Sequence, residues 1–599
     1  MQASRPLGGL AESTWWLAGA LTFWSCGYAL IRGDDLWWHL AAGRWMLAKR
    51  ALTRTDEFSF TAAGAPWLND AWLGDVIFAT WEHAFGTHAL AWWKWGLVTT
   101  IFLMLFATLR RVALDCMGDR PADGARSAAA LAAYVGATLG AVTAGPFLDM
   151  RPQLYTFLGV ALVLHGTMAR DTPGWWLPLV FVAWANLHAG FVFGLGCLGL
   201  ALAPWLRADP APRRRALGIG ALAVGACLLN PYGPTALTRP LRYAFDRASP
   251  FHALAEWWPP FRPGGLESPF YPFLLAIFAL TAMAAVVQRQ HRRRPAFWVG
   301  LALGGGTLAM SLTSRRFVPL FAVVQSLTVV VVVAPAVLPL VRRLPALAPA
   351  LAALVLGGAW LAPYPQAGYA FHYLTAEDHF PIETANFIET NGLSGNVFAQ
   401  YAWAGYLQMR TAGRMKVYVD GRADAVYPDE VFVRYEQASL GKDGWIEIIE
   451  GSAADWILWP RNLPWGALPR ALLSTGRWRQ VHVDAVAVLL QRLDETPAST
   501  SQPPPTYQPT PASPVRSYAL GALALDQGSL EEARREFGQA LAEAPYLRRA
   551  CNGLAIAEAR AGEIDMGRAT LARCESIFPI PARVAWFEEQ LATLAGALH

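Results

Sequence analysis

Carboxylates that could do chemistry recur in one polar stretch, residues 32–87. Gly33-Asp34-Asp35-Leu36-Trp37-Trp38-His39 comes first, followed by Asp56-Glu57, Asp70 and Asp75. A carboxylate fixed within hydrogen-bond reach of a hydroxyl can take its proton, and two close together can hold a divalent cation, Mg or Mn. Apolar residues at 36, 37, 40, 41, 45, 47 and 48 predict an amphipathic helix running to Arg50 and lying in a bilayer interface. Asp34 and Asp35 fall at its N-terminus, where the helix dipole favours negative charge. Either acid is explained as a helix cap or, functionally, as a general base or metal ligand. Asp56, Glu57, Asp70 and Asp75 are candidates for a second carboxylate or for acceptor contacts, and each also fits a solvated or structural role.

Basic groups stand at other loop positions: Arg151 in Asp149-Met-Arg-Pro-Gln153, His188 in Trp184-Ala-Asn-Leu-His188, and the pair Arg315-Arg316. Arginine suits phosphate because its planar fork offers two parallel donors. A single such Arg reads as a snorkelling side chain. Three basic sites on the same side as the acids fit a lipid-phosphate sugar donor, which needs a base for the acceptor and cations for the departing phosphate.

The elements that must position these groups are membrane helices. The chain has 599 residues, 54% apolar and 16% charged, with 27 Trp and a net charge of +5. So little charge excludes a disordered or nucleic-acid-binding protein, and the Trp excess points to a bilayer interface. Six scattered Cys without a C-x-x-C pattern exclude a disulfide framework, structural zinc and haem. Apolar runs near 14–31, 88–109, 127–144, 153–169, 175–187, 189–206, 216–229, 268–287, 296–312, 317–341 and 346–362 predict about 11 transmembrane helices. The first has no basic n-region and reads as an uncleaved anchor. Arg clusters at 110–126, 213–215, 292–294 and 342–343 place the N-terminus in the cytoplasm, so the loop 32–87 and everything after 362 lie outside it. Treating 175–206 as two short helices keeps the later Arg clusters inside.

Beyond the membrane domain 1–362, strand-like runs at 395–399, 416–420, 455–459 and 481–490 alternate with helical patterns at 381–391, 428–439 and 466–476. They predict a small α/β domain over 363–494. A Pro/Ser/Thr linker follows at 495–514. In 515–599 the pairs Leu520/Leu554, Gly528/Gly562 and Pro545/Pro579 repeat at a 34-residue period, which resembles two tetratricopeptide repeats plus a capping helix at about 580–597. Such arrays bind a peptide or another subunit, or act as a stabilising cap.

The whole pattern resembles the GT-C superfamily of integral membrane glycosyltransferases, and more closely a group of bacterial membrane proteins of this kind. The resemblance rests on Asp35-Leu-Trp-Trp-His39, Asp56-Glu-Phe-Ser-Phe-Thr61, Arg151-Pro-Gln153, Asn186-Leu-His-Ala-Gly190, Asn230-Pro-Tyr-Gly233 and Asp420-Gly-Arg422, across about residues 14–492. It implies transfer of a sugar from a polyprenyl-phosphate donor to an acceptor on the extracytoplasmic face of a bacterial inner membrane, with inversion at the anomeric carbon. Under it Asp35 is the catalytic base. Asp34, His39, Arg44, Asp56, Asp70, Arg151, His188, Arg315 and Arg316 are the substrate- and phosphate-binding candidates. Gly33 stands where the related sequences have the first acid of Asp-x-Asp, so a two-carboxylate metal site is not implied. Asp420-Gly421-Arg422 reads either as a structural turn with an Asp–Arg pair or as a segment closing over the site. Two other classes were weighed: a non-catalytic scaffold for envelope polysaccharide or protein assembly, and a lipid-linked glycan transporter. The transporter lacks its signature of mid-span ionisable residues or inverted halves.

Overall fold

The computed structural model describes residues 5–27, 33–118, 124–245, 249–263, 265–287, 294–344, 350–356, 380–461, 467–484, 486–493, 514–545 and 547–577. The chain divides into two compact units. The first comprises Met1–Gly33, Met46–Thr53 and Leu68–Ala362, the second Asp34–Trp45, Arg54–Trp67 and Pro363–His599.

The first unit is helical. Four of its described helices, Leu90–Cys116, Ala125–Phe147, Pro295–Thr313 and Arg315–Arg343, are long and apolar enough to cross a membrane, and Gln153–Met168, Leu177–Leu187, Phe191–Arg207 and Tyr271–Val287 are shorter apolar helices. Small residues let them pack closely, as is usual between membrane helices. A Cβ on Gly140 would stand 2.9 Å from the Ala322 carbonyl, and one on Gly304 would stand 2.6 Å from the Phe278 ring. The 175–206 region breaks where two helices were expected: Leu187 ends one helix, His188 is extended, and Phe191 begins the next. Gly190 permits the break, because a side chain there would collide with Thr156. Most of the expected last span, 346–362, lies outside the described residues.

The second unit contains a five-stranded sheet in the order β2-β1-β3-β5-β4, with β1 Gly395–Ala399, β2 Met415–Val417, β3 Trp456–Pro460, β4 Trp478–Val483 and β5 Ala487–Arg492. β1 runs parallel to β2 and β3, and β5 runs antiparallel to β3 and β4. The run 481–490, expected as one strand, is a hairpin. Asp484 turns it by accepting the Val486 and Ala487 amides, both at 2.7 Å. Helices Ile382–Thr390, Asp429–Ser439 and Ala467–Ser474 form where the periodicity predicts them. Residues 58–60 extend the sheet past β2, with Val417 donating to the Phe58 carbonyl and Phe60 to the Val417 carbonyl, both at 3.1 Å.

Four further helices of this unit pack in sequence: Pro514–Asp526, Leu530–Glu543, Arg548–Arg560 and Ile564–Ile577. The 34-residue period has a physical basis here. Gly528 and Gly562 take left-handed φ values of 77° and 89° at the turns of two successive hairpins, a conformation that favours glycine. Phe537 fills the space left by Gly521 and Gly553. The expected capping helix and nearly all of the linker lie outside the described residues. One feature was not legible in the cysteine spacing. Cys551 and Cys574 form a disulfide across the second hairpin, with Cα atoms 6.0 Å apart and 23 residues between them in sequence. Closing a loop of that length stabilises by about 3 kcal/mol through the entropy of the unfolded chain. Cys574→Ser should therefore make residues 547–577 selectively sensitive to limited proteolysis, while the sheet stays resistant.

Candidate functional site

In the second unit Asp35 is the first residue of helix Asp35–Lys49. Its Oδ1 accepts the indole N–H of Trp38 at 3.2 Å, one turn along. Of its apolar residues Leu36, Trp37, Leu40 and Ala41 are buried in protein, whereas Leu47 and Ala48 are exposed. Trp37 sits edge-on against Tyr406 and Phe380 at 5.2 and 5.6 Å. Trp38 stacks on the buried His39 with ring centroids 3.5 Å apart and meets Trp67 edge-on at 6.2 Å. Asp34 is half-buried, and Arg44, exposed on the third turn, donates to the Met409 carbonyl at 3.2 Å near the end of helix Tyr401–Arg410.

Asp56 is not a solvated acid. It is 2% exposed and belongs to a buried network with Arg422, Asp420, Tyr427 and Gln408. Its Oδ1 accepts the Arg422 Nη1 at 2.5 Å and the Phe58 amide at 2.9 Å, and its Oδ2 accepts the Ser59 amide and hydroxyl. Asp420 takes the Arg422 Nε at 2.8 Å and Nη2 at 2.6 Å, the Tyr427 hydroxyl at 2.7 Å and the Gln408 amide at 2.6 Å. The guanidinium also lies over the Trp67, Phe58 and Tyr427 rings at 4.8 to 5.7 Å. Burial by itself would raise the Asp420 carboxyl, but the adjacent Arg422 charge and the hydrogen bonds from Arg422 and Tyr427 hold it below the ordinary carboxylate value. Burial pushes the Tyr427 phenol well above its usual value.

In the first unit the basic candidates meet acids that the sequence did not single out. Glu256 takes Arg316 on Oε1 at 2.8 Å and Arg151 on Oε2 at 3.5 Å, while Arg315 pairs with Glu267 at 2.9 Å. The Arg315 amide donates to the Trp258 carbonyl at 2.9 Å, the Ser314 hydroxyl donates to the Glu256 carbonyl at 3.1 Å, and Arg316 lies over Trp257 at 4.9 Å. The three guanidiniums and two glutamates gather beside the ends of apolar helices. Burial raises the Glu267 carboxyl against the opposing pull of Arg315 and Arg151. Asp149 is a further residue that sequence reasoning passed over. Its carboxylate accepts the Gly33 and Met150 amides, with Lys94 at 3.8 Å.

His188 is not part of the arginine cluster. The Trp184 indole donates to the Thr156 hydroxyl at 3.2 Å, that hydroxyl lies 2.7 Å from the His188 Nδ1, and the Gly190 amide donates to the same nitrogen at 3.1 Å. A nitrogen that accepts an amide carries a lone pair, so Thr156 must donate as well and the ring proton belongs on Nε2. Asp70 is half-buried just before helix Trp72–Phe85, next to Asn69, whose amide joins Asp75 at 2.8 Å and Thr53 at 3.1 Å. Tyr232 of Asn230-Pro-Tyr-Gly233 supports the same loop, its hydroxyl taking the Asn69 amide at 3.2 Å and donating to the Thr53 carbonyl at 3.3 Å.

Among the described residues no group of three or more His, Cys, Asp or Glu side chains gathers as a metal-ligand set. The Mg or Mn expected from the carboxylate pattern has no donor set here and enters no step below.

The sequence matches no family model and no curated protein. The fold has known counterparts. An Archaeoglobus fulgidus structure, the archaeal oligosaccharyltransferase AglB in complex with an inhibitory peptide and a dolichol-phosphate, aligns over 80% of this chain and 73% of its own at a TM-score of 0.51 and 11% identity. Structures of the A. fulgidus oligosaccharyltransferase in the apo form and tethered with an acceptor peptide containing the NVT sequon align at TM-scores of 0.47 and 0.48, each at 12% identity over 76% of this chain and 69% of theirs. At such identities the likeness is one of fold.

The buried network has a measurable consequence. Arg422→Ala leaves two buried carboxylates unmatched and should destabilise the sheet by about 3–5 kcal/mol in denaturant unfolding. Because folding lowers the Asp420 carboxyl, its contribution is present above the ordinary carboxylate value and is lost as the pH falls through the lower folded one. The wild-type sheet should therefore lose stability progressively below about pH 4, and Asp420→Asn should flatten that loss.

Proposed function

We propose that the protein is a membrane glycosyltransferase of the GT-C kind, moving a sugar from a polyprenyl-phosphate donor to an acceptor on the extracytoplasmic face. The observation that carries this reading is the gathering of Arg151, Arg315 and Arg316 with Glu256 and Glu267 beside apolar helices, since forked guanidiniums suit a phosphate on a lipid. The AglB-like fold supports it, since one AglB structure holds a dolichol-phosphate. In the proposed reaction Asp35 accepts the proton of the acceptor hydroxyl and that oxygen forms a bond to the anomeric carbon. The bond from that carbon to the phosphate oxygen breaks, and the electron pair leaves with the phosphate. Attack opposite the leaving group inverts the anomeric centre.

The same reading assigns about 11 transmembrane helices, a bacterial inner-membrane location and extracytoplasmic C-terminal domains. The Cys551–Cys574 disulfide supports that side of the membrane, because disulfides persist in oxidising compartments. The two helical hairpins are proposed as tetratricopeptide repeats that receive a protein partner.

The test is sugar transfer in reconstituted membranes with a polyprenyl-phosphate sugar. Asp35→Asn should lower the rate by about 10²- to 10⁴-fold. Arg316→Lys should mainly raise KM for the lipid donor, by roughly tenfold, because the forked contact is lost. No consumption of the donor by wild type overturns the proposal. A reporter fused after residue 495 should be active only outside the cytoplasm, and cytoplasmic activity would overturn the orientation.

A further inference from the structure

The turn that follows β2 approaches the N-terminus of helix Asp35–Lys49 more closely than any side chain would allow. A Cβ on Gly421 would lie 2.7 Å from Oδ1 of Asp35, 2.8 Å from Nε1 of Trp38 and 3.0 Å from its Cδ1. These are below the separations that real Cβ atoms keep, so an added methyl must displace either the carboxylate or the indole that donates to it at 3.2 Å. The turn itself is pinned from both sides. Asp420 and Arg422 flank Gly421, and Arg422 is tied at 2.5 Å to Asp56. The next residue, Ala423, has a φ of 46°, a conformation that costs a non-glycine residue energy and persists only where its surroundings enforce it. Its amide closes the turn on the Asp420 carbonyl at 3.2 Å. Trp67 links the two features, covering the Arg422 guanidinium at 4.8 Å and meeting Trp38 edge-on.

We propose that Gly421 is a positioning residue: its bare backbone, held by the Asp420–Arg422–Asp56 network, forms a wall that fixes the Asp35 carboxylate on the Trp38 indole. The inference deepens the reading of Asp35 as base and rests on it for its catalytic consequence, whereas the positioning itself can be measured without any activity. The buried network then does more than stabilise the sheet, since it determines how far the wall stands from the acid.

The experiment is carboxylate footprinting of the full chain in lipid nanodiscs. A water-soluble carbodiimide with glycine ethyl ester labels carboxyl groups, and mass spectrometry reads the labelling rate at each acid. Gly421→Ala should raise labelling of Asp35 severalfold, with exposed Asp429 labelling as in wild type. Trp38→Phe removes the indole donor, leaves Gly421 in place and should raise Asp35 labelling as well, a second measure of the same clamp where Gly421→Ala does not accumulate. Where transfer is measured, Gly421→Ala should lower kcat about tenfold or more with KM for the lipid donor unchanged, since misplacing a reacting group slows the chemical step. Unchanged Asp35 labelling in either variant overturns the positioning, whatever the transfer assay shows. Raised labelling in a chain whose wild type consumes no donor supports the positioning and overturns only the transferase reading.

Discussion

A guanidinium with no access to water must be matched by protein groups, and in the second unit Arg422 is matched by two carboxylates, a phenol and three aromatic rings. Removing either acid would leave an unbalanced charge in a dry interior, where the penalty is several kcal/mol. This requirement joins segments that are far apart in sequence. Asp56 lies in the segment 54–67, Asp420 and Arg422 follow β2, and Tyr427 and Gln408 come from the elements on either side. Once the pairing is made, residues 58–60 are carried onto the free edge of β2, which would otherwise leave unpaired backbone groups. The left-handed Ala423 and the tight approach of Gly421 follow from the same closure.

The first unit meets an equivalent demand with neutral groups. Within apolar surroundings each polar atom needs a partner, and the side chains near the helix break are supplied in chains. Asn186 takes the Trp72 indole at 2.9 Å and gives its amide to the Val182 and Leu229 carbonyls at 2.8 and 2.9 Å. Asn69 does the same for Asp75 and Thr53.

Periodicity made the membrane helices, the parallel part of the sheet and the helical hairpins legible, because burial of one face or of a whole run is written locally. Asp484 was less visible: a hairpin and a single strand share the same apolar content, and only the turn-forming acid separates them. The partners of the charged residues were not legible at all. Nothing in the spacing of Asp56 and Arg422, or of Arg151, Glu256 and Arg316, announces that they meet, since each pair is set by the fold between them. The partners of the helix at 35–49 were equally hidden, since the pattern of an interfacial helix and of one covered by protein is the same, and Trp37 meets Tyr406 and Phe380.

Two glycines bear on what the acid pair between them in function can do. At position 33, where related sequences carry the first acid of the motif, a side chain would begin 3.1 Å from the Asp149 carboxylate and from Nε of Arg151, so an acid there would need both to give way. The Gly33 amide instead donates to Asp149, which neutralises none of that carboxylate's charge and orients it. At position 421 the missing side chain has the opposite effect, drawing backbone up to Asp35 rather than making room for another residue's charge. An Asp-x-Asp pair arranged to bind a cation needs two converging carboxylates. Here the first is absent and the last is held by an indole donor and a backbone wall, which suits a carboxylate that must present one oxygen in a fixed direction.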